Sequence, residues 1–353
     1  MLLKIKSFPL VIAIISVLLF LPACKKFDRS KIAMPKMKFI TGENLHSVIA
    51  RDPTHVWVFG NHGTIYFSGD GGTTWNKQET GVEVLLGDAS FVSNDEGWAA
   101  GVAGTVLHTV NGGKTWGPLK SCTERDLLNV FFLDNRQGWA VGEYGTLIHT
   151  DDGGATWAPQ MEPTDKNYNS IFFADQNTGW LVGEFGTILY TENGGKTWAP
   201  QECKDIVPVV SSKEWEKPLP ALYGIFFLDR NQGWITGMDG VLIRTVDGGK
   251  TWKKLASNTD KPIYSILVKG NSGWAVGNKG TYLMSHDGGN TWQPKEKAVK
   301  TKYWLRQVAF PDQNTGFIVG ATGTVAVTKD SGNTWKIISG FTYEMEEFGL
   351  ADF

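Results

Sequence analysis

The chain has 353 residues, a formal net charge of −2 and 41% hydrophobic residues. That excludes a basic nucleic-acid binder and supplies enough apolar side chain for a packed core. Its 15 tryptophans and 42 glycines point to a packing device and a tight turn that recur many times.

The chain opens on a targeting pattern. Lys4 and Lys6 precede an apolar run from Phe8 to Leu21, too short to span a bilayer with ease. The run ends in Leu21-Pro22-Ala23-Cys24, which resembles a bacterial lipobox. The resemblance implies cleavage before Cys24, diacylation of its thiol, a signal peptide over 1–23 and a lipidated tether over 24–40. A plain signal peptide is the other reading. Lys25 stands where some bacteria place the Asp that retains lipoproteins at the inner membrane. An exported, membrane-anchored protein on the periplasmic side or cell surface is expected, with the outer membrane favoured. Two further cysteines, Cys122 and Cys203, lie two repeats apart, too far for a disulfide. Free thiols acting as small buried fillers are expected.

From there the sequence repeats. The motif S/T-x-D/N-x-G-x-T-W occurs seven times, ending at Trp75, Trp116, Trp157, Trp198, Trp252, Trp292 and Trp335. A second series, Trp57, Trp98, Trp139, Trp180, Trp234, Trp274 and Phe317, keeps identical spacings of 41, 41, 41, 54, 40 and 43. Each repeat reads as four short strands separated by turns. In the third, Leu128–Leu133, Trp139–Gly142, Thr146–Thr150 and Thr156–Pro159 are the strand segments. No helical period competes with them. Four antiparallel strands per repeat of about 40 residues is the blade of a propeller. The expected fold is therefore all-β, a seven-bladed β-propeller over residues 41–340. The tail 341–353 is a possible closing strand that would cover an exposed edge.

The turn motif is an Asp-box. Its third residue is Asp70, Asn111, Asp152, Asn193, Asp247, Asp287 or Asp330. Such a side chain accepts backbone N–H groups inside the turn, and the glycine two positions on accepts a left-handed conformation. The role is structural. One carboxylate per turn is too few for a calcium site, and no metal or cofactor is expected.

Asp-boxes are shared with sialidases and sortilin-type receptors. The longer repeat, F-x-D-x-x-x-G-W-x-V-G-x-x-G-T-I-x-x-T-x-D-G-G-x-T-W, more specifically resembles the photosystem II stability and assembly factor family, over about residues 40–340. That resemblance implies a non-enzymatic propeller on the lumenal or periplasmic side. It would be a monomeric scaffold that assists or stabilises a membrane or envelope complex by holding a protein partner. The family uses a cluster of arginines on one face. Here Arg51, Arg125, Arg136, Arg230, Arg244 and Arg306 are dispersed over the repeats. The alternative is a glycan-binding or glycan-cleaving, sialidase-like propeller. The Phe-Arg-Ile-Pro stretch of sialidases is missing, and no catalytic set is expected.

A propeller sorts its turns onto two faces. Second-to-third-strand turns and repeat-to-repeat loops share one, and the Asp-boxes share the other. On the first face the third to fifth repeats place Glu143, Tyr144, Glu184, Phe185 and Asp239, with Arg125 ahead of the third. The one long insertion, Gln201 to Pro220 with Trp215, enters there too. Binding residues concentrate on loops carried by rigid scaffolds, so this sector is the candidate binding face. Glu143 and Glu184 read alternatively as a glycosidase carboxylate pair.

For the anchor, Cys24→Ala is expected to move the protein from the membrane fraction to the soluble fraction. An unchanged partition, with no acyl mass on the wild-type protein, would refute lipidation.

Overall fold

The segments are too short and too regularly interrupted by turns to build anything but sheets, and each sheet must bury both faces against a neighbour. The computed structural model describes residues 40–206 and 218–341. It is a seven-bladed propeller in which each blade is a four-stranded antiparallel sheet of contiguous strands in sequence order. Blade 3 runs Leu127–Phe132, Gly138–Gly142, Leu147–Thr150 and Ala158–Pro159. Its second strand is buried throughout and its fourth is exposed. The signal segment with Cys24, the tether up to residue 39, Trp215 and the tail from residue 342 lie outside the described residues.

The Asp-box works as a polar staple. In blade 3 Thr156 donates its backbone N–H to Asp152 Oδ1 at 2.9 Å and its hydroxyl to Oδ2 at 2.7 Å. These bonds hold the Asp152 carboxyl down to about 2. The first box residue is as important as the Asp. Thr150 donates to Asp152 at 2.8 Å and accepts the Gly154 N–H at 2.8 Å. Gly154 sits at φ +90, in the left-handed region. The next peptide along ties the box to its own blade: Gly153 donates to the Arg136 carbonyl at 2.9 Å.

Between blades the same rings recur. The second-strand Trp98 of blade 2 stacks on Phe132 of blade 3 at 3.6 Å, and the box Trp157 meets that Phe edge-on at 5.8 Å. Trp139 with Phe173 and Trp198, and Trp180 with Phe227 and Trp252, repeat the arrangement. Aromatic pairs in these geometries add about 0.5–1.5 kcal/mol each beyond their area burial. The Gly-Trp dipeptide follows from it: a Cβ on Gly138 would lie 2.5 Å from the Phe132 ring. Each second-strand indole also reaches the box of the following blade. Trp98 Nε1 donates to the Gly153 carbonyl at 2.9 Å, Trp57, Trp180 and Trp274 make the equivalent bond, and Trp234 reaches the carbonyl one residue further on, that of Gly289. Among the described residues Trp139 Nε1 has no hydrogen-bond partner.

Among the described residues the ring closes without sharing strands. Blade 7 presents Phe317, packed with Leu45, Val48, Val56 and Val58 of blade 1. Ile40 N–H donates to Ser339 Oγ at 3.1 Å, and Thr322 N–H to Asn44 Oδ1 at 2.9 Å. Both described cysteines are free thiols. Cys203 is buried as a filler, whereas Cys122 is exposed on the loop between blades 2 and 3, contrary to the expectation that both are buried.

The indole bond can be weighed directly. Trp98→Phe keeps the ring and strands the Gly153 carbonyl, whereas Trp139→Phe removes an N–H that has no partner. Trp98→Phe is expected to be the more destabilising by about 1 kcal/mol in denaturant unfolding. Equal losses would show that these bonds contribute nothing.

Candidate functional site

The turns between second and third strands build the rim of one face. All share one backbone: the residue before the glycine has φ of 52 to 55, and is His62, Ala103, Tyr144, Phe185, Asp239, Lys279 or Thr322. A side chain other than Gly or Asn costs about 1 kcal/mol there. In blades 3 and 4 the position holds aromatic rings that are 56% and 48% exposed, Tyr144 and Phe185, and in blade 5 Met238 at 39% precedes the turn's Asp239. The rings are carried at a conformational cost and left in solvent.

These residues are tied to one another. Arg125, on the loop entering blade 3, donates to the Tyr144 carbonyl at 3.0 Å, and its guanidinium lies 5.3 Å from the Tyr144 ring centroid. Tyr144 N–H donates to Asn167 Oδ1 at 3.0 Å, and Asn167 N–H donates to Glu184 at 3.0 Å. Asn167 was absent from the sequence reading. The available signal was an Asx residue directly before an inner strand, as Asn44 and Asp126 are; each caps the turn of the preceding blade. The insertion returns at the same place. Gly186 N–H donates to the Pro220 carbonyl at 2.9 Å, beside Phe185. So Arg125, Tyr144 and Glu184 are linked through Asn167, and Phe185 adjoins the insertion's end. Trp215 falls outside the described residues.

The second feature is the axial channel, a cavity of about 400 Å³ lined by the inner strands. Neither Glu143 nor Glu184 lines it. A polar girdle runs round it. Asp88 accepts Ser47 Oγ at 2.9 Å and the Asn129 side-chain amide, and Asn129 Oδ1 accepts the Ile171 N–H at 2.9 Å. Gln307 Oε1 accepts the Val48 N–H at 2.6 Å. Blades 7 and 1 to 4 are thereby joined through side chains. Burial pushes the Asp88 carboxyl up to about 6, and the bond from Ser47 offsets part of that rise. The other arginines are dispersed: Arg136 donates to the Asp151 carbonyl, Arg230 pairs with Asp175, and Arg306 lines the channel. Among the described residues, no cluster of His, Cys, Asp or Glu is placed to hold a metal, and no helix is long and apolar enough to cross a membrane.

Comparison with known proteins gives a consistent result. The sequence profile of the photosynthesis system II assembly factor YCF48 matches residues 31–121, 118–209, 159–262 and 207–300. A search of curated proteins finds no match. Among solved structures, YCF48 bound to a D1 peptide is 21% identical, with 83% of this chain and 95% of that chain covered and a TM-score of 0.67. YCF48 from Cyanidioschyzon merolae is 22% identical, covering 83% and 97%, at a TM-score of 0.65. A GH74 xyloglucanase from Xanthomonas campestris is 14% identical, covering 86% of this chain and 55% of that one, at 0.68.

Asp88 gives the girdle a pH signature. Its carboxyl titrates near 6 in the fold and near 3.8 unfolded, so folding takes up a proton between those values. Its contribution to stability is present below about pH 4 and is lost as the pH rises to about 6. Asp88→Asn keeps an acceptor for Asn129 and a donor for Ser47. It is expected to remove this slope, gaining about 3 kcal/mol on the wild type between pH 4 and pH 7. Parallel stability curves in urea at the two pH values would contradict it.

Proposed function

Because this chain belongs to the photosynthesis system II assembly factor YCF48 family, we propose that it is a non-enzymatic scaffold that holds a protein partner on the rim of blades 3 to 5. The observation that carries the reading is the pair of solvent-exposed rings, Tyr144 and Phe185, held in left-handed turns. Exposed aromatics on a rigid frame anchor protein interfaces, because two torsions are all they lose on binding. Arg125 stacked on Tyr144 adds a second anchor type at the same spot. A related propeller has been solved with a peptide bound, which supports a polypeptide as the ligand class.

The partner we propose is a membrane or envelope protein. The lipobox would tether a monomeric propeller at the outer side of a bacterial membrane, by preference the outer membrane, within reach of such a client. Trp215 and Asp239 would extend the docking surface. Glu143 and Glu184 would tune association rate and salt dependence, as rim charges do. The xyloglucanase likeness keeps glycan cleavage as the second reading. Against it, Glu184 is engaged by Asn167, and the two glutamates do not face the one described cavity.

The test is affinity capture from detergent-solubilised membranes followed by mass spectrometry. The double change Tyr144→Ala and Phe185→Ala is expected to reduce partner recovery roughly tenfold or more, about 1.4 kcal/mol, with an unchanged thermal midpoint. Glu143→Gln should change it little. Hydrolysis of an aryl glycoside or sialoside that disappears in Glu143→Gln or Glu184→Gln would replace the scaffold with the glycosidase.

A further inference from the structure

The channel differs from a packed propeller axis in one respect. Every inner strand carries a β-bulge at its start, where the register slips by one residue: between Leu305 and Gln307 in blade 7, and between Ile263 and Ser265 in blade 6. A bulge re-aims the extra side chain. The bulged residues line the mouth of the channel on the rim face, and the polar ones are His46, Asn169, Tyr223, Tyr264 and Arg306. Three residues further along, about 10 Å deeper, the lining turns apolar. Phe131, Phe172 and Phe226 stand in a row with centroids 5.4 and 5.8 Å apart, followed by Leu267.

Arg306 is half-buried at the mouth. Its guanidinium lies 5.3 Å from the Tyr264 ring centroid, yet among the described residues it donates no hydrogen bond and forms no ion pair. A guanidinium carries five N–H donors in a planar fork that matches a carboxylate, and at the channel mouth this fork is open to a ligand. The acid nearest in kind, Asp88, attracts it at a distance. Asp88 is committed to Ser47 and Asn129. His46 is hydrogen-bonded to Asn61 at 3.0 Å, and burial lowers its pKa, so Arg306 is the cation of the mouth.

We propose that the channel binds a small organic monocarboxylate, with the carboxylate on Arg306 beside Tyr264 and Tyr223, and an apolar body reaching the phenylalanine row. A single guanidinium balances one negative charge, with Asp88 opposing a second. The apolar depth has no use for inorganic phosphate. A volume of about 400 Å³ falls in the range of small-molecule sites and fits an arylalkanoate. The site is separate from the rim reading and stands or falls without it.

The test uses the full-length protein in detergent at pH 7.5, titrated calorimetrically with 4-phenylbutyrate against a detergent blank. Binding at about millimolar or tighter is expected. The neutral isostere 4-phenylbutanol should bind at least tenfold more weakly, and inorganic phosphate should not compete. Arg306→Gln should weaken phenylbutyrate at least tenfold without altering 4-phenylbutanol, and Asp88→Asn should tighten it several-fold by removing the opposing charge. Should Arg306→Gln not fold, the acid–alcohol comparison and Asp88→Asn decide. No binding of the acid at 10 mM, equal binding of acid and alcohol, or displacement by phosphate would each overturn the proposal.

Discussion

The contact on which the propeller depends is the stack of three rings between blades: an indole from one blade, a phenyl from the next, and that blade's own box indole set edge-on. A single four-stranded blade has nowhere to hide these rings. Trp98, Trp139, Trp180, Trp234 and Trp274 are all fully buried; Trp98, Trp139 and Trp180 lie between a third-strand ring of their own blade and the Phe of the following one. Packing of blade on blade is therefore what completes the burial of these rings. The glycine before Trp98, Trp139, Trp180 and Trp234 is part of the same requirement, since the neighbouring phenyl of its own blade occupies the space of its Cβ. Two junctions depart from the pattern. Blade 6 offers Val268 where blades 2 to 5 and 7 offer Phe, and there the box Trp292 covers Gly273 instead. At the closing junction Phe317 replaces the indole and packs on aliphatic side chains. Ile40 and Asn44 make hydrogen bonds across that seam.

A frame stapled on one face and between its blades leaves the other face free to vary. The rim turns keep one backbone geometry through all the repeats, so a change of side chain there alters the surface and not the fold. That is why Tyr144, Phe185 and Asp239 can occupy positions filled elsewhere by Ala103 or Thr322. The cost of placing an aromatic ring at positive φ is about that of one weak hydrogen bond, small against the stacking energy of the blades. The protein can carry exposed anchors without endangering its stability.

Much of this was legible in the sequence because it repeats. The two tryptophan series fixed the number of blades, the alternation fixed four strands in each, and the Asp-box fixed the outer hairpin. What escaped was whatever breaks the repeat by a single residue. The bulge at the start of each inner strand has no compositional signature: His46, Leu128 and Tyr264 share no property but their place. Arg306 therefore read as one of several scattered arginines, when the register slip sets it at the channel mouth. Asn167 escaped for a related reason. Its role is to cap a turn of the preceding blade, 23 residues earlier, and no local pattern announces a contact across a blade boundary. Arg125 and Tyr144 were legible separately as rim residues, but their stacking is a property of two adjacent blades.

The two boxes that carry Asn separate geometry from charge. Asn111 Oδ1 accepts the Thr115 N–H at 3.0 Å, as Asp152 accepts that of Thr156 at 2.9 Å. At the second atom the polarity is reversed. Asn111 Nδ2 donates to the Thr115 hydroxyl at 2.8 Å, whereas Asp152 Oδ2 accepts from the Thr156 hydroxyl at 2.7 Å. A threonine hydroxyl serves as donor or acceptor by rotating its proton, so the turn closes either way. The box needs one acceptor and one hydroxyl partner, not a carboxylate. A ligand-binding role for the box charges would require the negative group in every blade, and blades 2 and 4 fold the same turn without it. The charges are therefore by-products of the staple. What varies lies on the opposite face, where the turns keep their shape and change their side chains, and at the axis, where the Arg306 guanidinium stands at the mouth of a channel lined deeper by a row of rings.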